Sequence, residues 1–396
     1  MDTDPTVRDR PVLHVALLGH AGHGKTTLLT ALTHRLAARP GGVSVPLPAP
    51  GEAPTVWGRC VAVASPRRRY VLHDLPGRRG FIREASRGLG IRDVAVVVIS
   101  AEQAARAQTR ELVLHARGLT ARQTLVFLNA CDRPSDPAWL DAVEADARQS
   151  LIDVGVDGDD VLVLRGSALG ALRGDPRWTP GVDGLLDALD ALDDVLRAVD
   201  GPLVIPVSES YPRPRKDDVV VGRVRSGRVK VGQVVELPGV GSYLVRSLQQ
   251  HGRSVETCEA GELAGLGLTA RAGTARIPLR GEVLGAGEAV RLREEFFATV
   301  RLIALSDGGR HTPLRTGMRA FFHLGTAGRM GVVRLPPGFE SLSPGAVCTM
   351  VRVRLDRPIW AAAGMRFAFR DGSVGPRRDR ESPLEWAGTA GVGEVL

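Results

Sequence analysis

The segment Gly19–Thr27 contains the residue types and spacing that most clearly imply chemistry. It matches the phosphate-loop pattern GxxxxGK[ST]. Its glycines let successive backbone N–H groups face phosphate oxygens, and a following helix N-terminus adds its dipole. We expect Lys25 to reach the β- and γ-phosphates of a nucleotide and the Thr26 hydroxyl to bind Mg²⁺. The predicted phosphate contacts are Gly19, His20, Ala21, Gly22, His23, Gly24, Lys25, Thr26 and Thr27.

A second motif, Asn-Ala-Cys-Asp, follows a predicted strand and indicates which base is bound. Its Asp132 carboxylate would accept hydrogen bonds from the guanine N1–H and 2-amino groups, whereas adenine has no donors to match. We expect Asn129 to brace this loop. After the next predicted strand, Ser-Ala-Leu is placed to contact guanine O6 through its backbone. The predicted guanine-reading residues are Asn129, Ala130, Cys131, Asp132, Ser167, Ala168 and Leu169. The sequence therefore favours GTP and GDP over ATP.

A third motif, DxxG, follows another predicted strand and reads Asp74-Leu75-Pro76-Gly77. Asp74 is expected to hold Mg²⁺ through a water molecule. The Gly77 N–H is expected to meet the γ-phosphate, so that this loop senses whether that phosphate is present. In chain order with the other two motifs, it completes a predicted GTP site.

Alternating strands and helices must position these loops at one edge of a sheet. Apolar runs predict buried strands at Val12–Leu18, Tyr70–Leu72, Val94–Ile99, Thr124–Leu128 and Val161–Leu164. Helical periodicity predicts helices at Thr26–Ala38, Glu102–Arg117, Asp136–Ile152 and Val182–Val199. This order predicts a doubly wound α/β domain with a mainly parallel sheet.

From Gly201 onwards the pattern changes to short strands with period-two alternation and glycine turns. The turn spacing predicts two successive β-barrels. We therefore expect a nucleotide-binding domain at residues 1–200 and barrels at 201–290 and 291–396.

Composition is typical of a globular protein, with 43% hydrophobic and 24% charged residues. The longest apolar runs fall short of a membrane helix, and the four cysteines have neither zinc nor disulfide-framework spacing. We therefore expect a cytoplasmic protein with no membrane partner.

The net charge of +8 is unevenly distributed. Residues 1–200 contain 24 basic and 25 acidic residues, whereas residues 201–396 contain 28 and 19. The excess favours a polyanionic partner such as RNA for the second half. Arg67–Arg69 falls at a predicted hairpin tip, where solvated surface or RNA contact is expected.

Several segments resemble the elongation factor Tu family of translational GTPases. Besides the phosphate loop, they are Ser167–Gly174 with Trp178, Gly222–Gly232, Asp307–Pro313, Met365–Gly372 and Thr389–Gly393. The resemblance covers nearly the whole chain. It implies a G domain of the P-loop NTPase class and two β-barrels that, with GTP bound, close on aminoacyl-tRNA and carry it to the ribosome. GTP hydrolysis then releases the tRNA.

The resemblance also implies RNA contacts in both barrels. Tyr211 falls where an aromatic side chain lines the pocket for the aminoacyl end of tRNA. Arg310, His311 and Thr312 fall where the third domain meets the acceptor and T stems. The implied partners are aminoacyl-tRNA, the ribosome and a nucleotide exchange factor, with no DNA partner.

Three departures from the family affect the GTP side: Gly22 in place of an acidic residue, an altered first switch at Glu52–Val56, and Arg78. Arg78 stands where the family has the histidine that orients the attacking water. A permanently charged guanidinium cannot reproduce that geometry. We therefore name Gly77 and Arg78 as the catalytic positions and expect slow or altered hydrolysis. Thr55 is the expected Mg²⁺ ligand of the first switch, within Glu52–Val56.

Other departures fall on the tRNA side, at Arg215–Asp218, Leu263 and Phe321–Thr326. They leave two hypotheses. The first is a divergent factor that delivers aminoacyl-tRNA with slow GTP hydrolysis. The second is a GTP-binding regulatory switch of the same descent that does not deliver tRNA. A sulfate-activating GTPase, an initiation factor and an ATPase are disfavoured.

Overall fold

The computed structural model describes most of the chain. The described residues are 10–42, 59–75, 93–102, 123–133, 136–153, 161–195, 197–213, 217–250, 253–274, 276–285, 291–304, 312–361, 363–371 and 389–396. The chain divides into two units, Met1–Val195 and Leu196–Leu396. No helix among these residues is long and apolar enough to cross a membrane.

The first unit is built on a six-stranded sheet of order β2-β3-β1-β4-β5-β6. Its strands are β1 (Val12–Leu18), β2 (Arg59–Ala64), β3 (Arg69–Asp74), β4 (Val94–Ser100), β5 (Gln123–Asn129) and β6 (Val163–Arg165). β2 is antiparallel to β3, and the other pairs are parallel. Every residue of β4 is buried, as expected for a central strand covered on both faces. The predicted α/β fold class is confirmed.

Four helices are described in this unit: α1 (Lys25–Ala38), α2 (Pro137–Asp153), α3 (Ala168–Leu172) and α4 (Thr179–Ala191). Side chains of α1, α3 and α4 pack with one face of the sheet in a single core. The helix predicted at Glu102–Arg117 lies outside the described residues beyond Glu102.

The helix predicted at Val182–Val199 is wrong at both ends. α4 begins at Thr179 and ends at Ala191, and Leu192 takes an extended backbone with φ −63° and ψ 149°. Leu192 and Val195 still pack against the core. The apolar pattern therefore continues past the helix because the extended chain also covers the core.

The first barrel of the second unit contains strands β7 to β15. A ring of six strands closes because β10 pairs with both β11 and β15, and β12 extends from β11. β9 and β13 form a separate ribbon. The strands are β7 (Val204–Tyr211), β8 (Asp218–Arg223), β9 (Arg228–Lys230), β10 (Val234–Leu237), β11 (Gly241–Gln250), β12 (Arg253–Val255), β13 (Thr257–Glu259), β14 (Leu263–Ala270) and β15 (Val283–Gly285).

The second barrel is closed in the order β16-β21-β19-β18-β22-β23, and β17 and β20 form a ribbon. Its strands are β16 (Leu292–Leu302), β17 (Leu314–Arg315), β18 (Arg319–Leu324), β19 (Ala327–Arg334), β20 (Ser341–Leu342), β21 (Val347–Trp360), β22 (Arg366–Asp371) and β23 (Thr389–Val395). Each barrel has its own apolar core. Trp360 of this barrel packs against Val204 and Val283 of the first, with the Arg225 guanidinium 5.8 Å from its ring centroid.

Candidate nucleotide site

The phosphate loop connects the end of β1 to the start of α1 and depends on three glycines. Gly22 and Gly24 have φ angles of 89° and 82°, in the left-handed region that favours glycine. At Gly19 a Cβ atom would lie 2.2 Å from the carbonyl oxygen of Val98, so no larger residue fits. The loop is therefore a close backbone turn at a helix N-terminus, which is the geometry that binds phosphate.

Lys25 is buried, with 7% of its surface exposed. Its Nζ donates to the carbonyl oxygens of Gly19 and His20, each at 2.9 Å. Burial lowers the pKa of Lys25, and the nearby Asp74 carboxylate partly offsets this by raising it. The ammonium group is thus held against the inside of the loop, where the positive charge can meet a phosphate.

Thr26 and Asp74 lie together although they come from different segments. The Thr26 hydroxyl donates to the Asp74 Oδ2 at 2.5 Å. Asp74 ends β3, which runs parallel to β1 with Leu17 opposite Asp74. A hydroxyl and a carboxylate are the oxygen donors that Mg²⁺ prefers, so these residues fit the expected metal.

Asn129 ends β5 and joins the base-reading segments to the phosphate loop. Its Nδ2 donates to the His23 carbonyl oxygen at 2.9 Å, and its Oδ1 accepts from the Ala168 N–H at 2.9 Å. The side chain is buried. At Gly24 a Cβ would lie 2.2 Å from the same Nδ2, so that glycine also makes room for this bond.

The remainder of the base-reading loop, Ala130–Asp132, exposes one carboxylate group to solvent. Asp132 is exposed, whereas Cys131 is buried with its Sγ 3.2 Å from the Leu128 carbonyl oxygen. Burial raises the pKa of the Cys131 thiol. Ala130 takes a left-handed backbone with φ 60°. The turn therefore buries its small side chain and presents Asp132 to solvent.

Ser167 positions the third segment by capping α3. Its Oγ accepts from the Gly170 N–H at 2.9 Å, which fixes the helix start. β5 and β6 are adjacent parallel strands, so both base-reading segments leave the same edge of the sheet as the phosphate loop.

Each of the two histidines of the phosphate loop has a ring nitrogen close to a backbone carbonyl oxygen. The His23 Nδ1 lies 3.2 Å from the Val98 carbonyl oxygen, and the ring is buried. The His20 Nδ1 lies 2.6 Å from the Ala21 carbonyl oxygen. The His20 contact lies within the loop, whereas the His23 contact joins the loop to β4, so both fit a packing and hydrogen-bonding role.

Several predicted site residues lie outside the described residues: Thr55, Pro76, Gly77, Arg78, Arg310 and His311. Thr312 is described and exposed. Tyr211 is 49% exposed at the end of β7, and its hydroxyl donates to the Glu209 carboxylate. That hydrogen bond raises the pKa of Tyr211. In the described part of the chain, no three His, Cys, Asp or Glu residues are grouped to hold a metal.

A groove of about 630 Å³ on the first barrel was not predicted from the sequence. Gly265 and Gly267 of β14 form its floor, and Val219 of β8 lies beside them. Val219 is also the register partner of Tyr211. The remaining lining residues are Arg213, Asp217, Ser247 and Gln249. The alternating glycines were the available signal, because glycine inside a strand often marks a close approach of a ligand or another backbone.

Two family models match this chain, one in the nucleotide-binding unit and one in the second barrel. A family model described as "Elongation factor Tu GTP binding domain" matches residues 53–196, starting after the phosphate loop. A second, "Elongation factor Tu C-terminal domain", matches residues 289–375.

One solved structure gives a TM-score of 0.73 at 19% identity over 98% of this chain and 79% of its own. It is translation elongation factor SelB from Methanococcus maripaludis in complex with the GTP analogue GppNHp, and the likeness shows a shared fold. The two family models together cover more than half of the chain. The chain therefore belongs to the elongation factor Tu-like family of translational GTPases.

Proposed function

We propose that this protein binds GTP with Mg²⁺, hydrolyses it slowly to GDP and phosphate, and delivers aminoacyl-tRNA to the ribosome in the cytoplasm. The main support for GTP binding is the Asn129 side chain, which links the phosphate loop to the Ser167–Leu169 segment by two hydrogen bonds. We further propose that the working domains are residues 1–200, 201–290 and 291–396.

In this proposal, the residues of the first unit divide the binding of GTP. Gly19–Thr27 hold the phosphates, with Lys25 supplying positive charge. Thr26 would bind Mg²⁺ directly, Asp74 would hold it through a water molecule, and Thr55 would be a further ligand. The metal would neutralise charge on the phosphate oxygens. Asp132 reads the guanine N1–H and 2-amino group, and Gly77 meets the γ-phosphate.

Slow hydrolysis is proposed because Arg78 replaces the histidine that the family uses to orient water. The test is single-turnover GTP hydrolysis with and without ribosomes, compared with the Arg78→His variant. We expect the histidine variant to gain ribosome-stimulated rate while GTP affinity stays unchanged. An original protein as fast as an ordinary family member would contradict slow hydrolysis.

Delivery of tRNA is supported by the groove beside Tyr211, which we propose receives the aminoacylated end of tRNA. The strand register brings Tyr211 next to Val219 at its edge. Arg310, His311 and Thr312 would meet the acceptor and T stems. A nucleotide exchange factor would restore the GTP form.

Protection of the aminoacyl ester against hydrolysis tests delivery directly. We expect the GTP-bound protein to slow ester hydrolysis and the Gly265→Val variant to lose this protection. The new side chain would fill the groove, while its Cβ meets its nearest neighbour, the Gln249 carbonyl oxygen, at an ordinary 3.6 Å. GTP affinity and the unfolding midpoint serve as controls. Protection retained by Gly265→Val would contradict the groove as the tRNA-end site.

The alternative is a GTP-binding switch that does not deliver tRNA. It is favoured by Leu263, which replaces the asparagine that the family resemblance leads one to expect in the aminoacyl pocket. Charged Arg213 and Asp217 also line the groove. Clear ester protection would reject this alternative, whereas GTP binding without protection would support it.

A further inference from the structure

The outer surface of the second barrel contains a concentrated positive patch, which we call the arginine face. The face consists of Arg319, Arg334, Arg352, Arg354 and Phe297. All five side chains are exposed. They come from β18, β19, β21 and β16, which are consecutive neighbours in the barrel.

The strand register places these residues in two adjacent rows. Arg334 is paired with Arg352, which is paired in turn with Phe297. In the next row, Arg354 lies between Val332 and Glu295, and Arg319 is opposite Val332. Rows two residues apart on a strand are separated by about 6.8 Å, and neighbouring strands by about 4.8 Å. The four guanidinium groups can therefore contact one ligand.

One acidic residue within these rows offsets part of the charge. The Glu295 carboxylate lies 2.7 Å from the Arg352 Nη2. That hydrogen bond, together with the charges of Arg352, Arg354 and Arg334, lowers the pKa of Glu295. Four guanidinium groups against one carboxylate leave an excess of positive charge, which favours a polyanion.

Phe297 distinguishes this patch from a purely ionic surface. Its side chain is 44% exposed on the outer face of β16, while its neighbour Phe296 points into the core. It lies directly across the strand pair from Arg352. An exposed aromatic ring among arginines can stack on a nucleic-acid base while the guanidinium groups contact phosphates. An acidic peptide would use the arginines but would gain little from the ring.

We propose that the arginine face binds single-stranded RNA, with phosphates on the arginines and one unpaired base stacked on Phe297. Single-stranded RNA is preferred over a duplex because the bases of a duplex are already stacked on one another and not available to the ring. None of the five residues is among those assigned above to GTP or to tRNA. The proposal therefore does not rest on the proposed delivery of tRNA.

The test is fluorescence anisotropy of a labelled 12-nucleotide single-stranded RNA with the full-length protein, over a range of salt concentrations. We expect the Arg352→Gln/Arg354→Gln variant to bind at least about tenfold more weakly. The slope of log affinity against log salt should fall by about 1.4, or about 0.7 for each lost phosphate contact. The matched control is Arg315→Gln/Arg366→Gln, which removes the same charge from exposed positions elsewhere on this unit and should bind normally.

A second variant separates stacking from charge. Phe297→Ala should weaken RNA binding by about tenfold and leave the salt slope unchanged, because a stacked base is lost and no ion pair is. Circular dichroism and the unfolding midpoint should match the original protein, since all the changed side chains are exposed.

Competition with other polyanions completes the test. We expect duplex RNA and poly-glutamate of equal charge to compete more weakly than single-stranded RNA. Equal competition by poly-glutamate with no effect of Phe297→Ala would overturn the proposal in favour of an acidic protein partner. Equal weakening by the control variant would show a diffuse charge effect and would also overturn it.

Discussion

The Asn129 side-chain amide donates to the carbonyl oxygen of His23 at 2.9 Å, across a sequence separation of 106 residues. Its oxygen accepts from the Ala168 N–H, so one buried side chain connects three segments. These two hydrogen bonds couple the geometry of the phosphate loop to the position of the base-reading segments.

Asn129→Ala should therefore lower both stability and nucleotide affinity. It leaves the His23 carbonyl and the Ala168 N–H without this partner inside the protein. The expected loss of stability is about 2–4 kcal/mol, at about 1–2 kcal/mol for each group. GDP affinity, measured by titration with a fluorescent guanine nucleotide, should fall at least about tenfold. Asn129→Asp keeps the acceptor for the Ala168 N–H. Its stability and GDP affinity should lie between those of the original protein and the alanine variant. Unchanged affinity in the alanine variant would contradict this coupling.

Asp132→Asn should change the preferred base from guanine to xanthine. The amide replaces an acceptor with a donor, which matches the 2-oxo group of xanthine in place of the 2-amino group of guanine. Competition between guanosine and xanthosine diphosphates measures the change. Asp136→Asn is the matched control, because Asp136 accepts from the Ala138 N–H and asparagine caps a helix equally well. An Asp132→Asn variant that still prefers GDP would contradict the base-reading role.

Arg68→Ala should destabilise the first unit much more than Arg67→Ala. Arg68 is buried at the hairpin, where its Nη2 lies 3.0 Å from Asp194 and donates to the Leu192 carbonyl. Asp194 stays hydrated when Arg68 is lost, so most of the cost comes from the cavity and the orphaned carbonyl, about 2–3 kcal/mol. Arg67 is exposed and should cost less than about 0.5 kcal/mol. Urea unfolding midpoints measure both, and equal midpoints would contradict this account.

Glu282→Gln should reduce stability near neutral pH but much less in acid. Burial pushes the pKa of Glu282 up, but hydrogen bonds from Arg276 and the Leu279 N–H outweigh it and lower the pKa. The Leu279 bond is 2.7 Å. The stabilisation is therefore present above the unfolded pKa of about 4.3 and is lost as the pH falls through the lower folded pKa.

We expect Glu282→Gln to cost about 1 kcal/mol at pH 7, since Arg276 is partly exposed and its ion pair is screened. The difference from the original protein should narrow below about pH 4. Exposed Glu256→Gln is the control and should show little difference at any pH. A Glu282→Gln deficit that stayed constant down to pH 3 would reject the ionic contribution.

Local patterns by themselves determined the fold class and the outline of the nucleotide site. A strand, a glycine turn and a helix that are contiguous in sequence also form one local unit, so Gly19–Thr27 could be recognised directly. Apolar runs of strand length predicted the buried strands because parallel strands are covered on both faces. The expected bracing role of Asn129 followed from its place after the predicted strand Thr124–Leu128, and the structure shows its partners, His23 and Ala168.

The tertiary structure decided the features that depend on long-range contacts. Arg68 was expected at a solvated or RNA-facing hairpin tip, yet it is buried because Asp194 and the Leu192 carbonyl lie beside it. α4 ends at Ala191 although the apolar stripe continues, because Leu192 and Val195 cover the core from an extended chain. Periodicity reports which side chains face the core, but not the backbone that brings them there.

The groove and the arginine face also depended on strand register. Gly265 and Gly267 become a groove floor only when β8 and β11 flank β14. Arg334, Arg352 and Phe297 are far apart in sequence, and pairing of three strands places them in one row. A shift of one residue would turn each side chain to the opposite face of its strand. The composition therefore showed that the second half is basic, while the sheet register determined where that charge is concentrated.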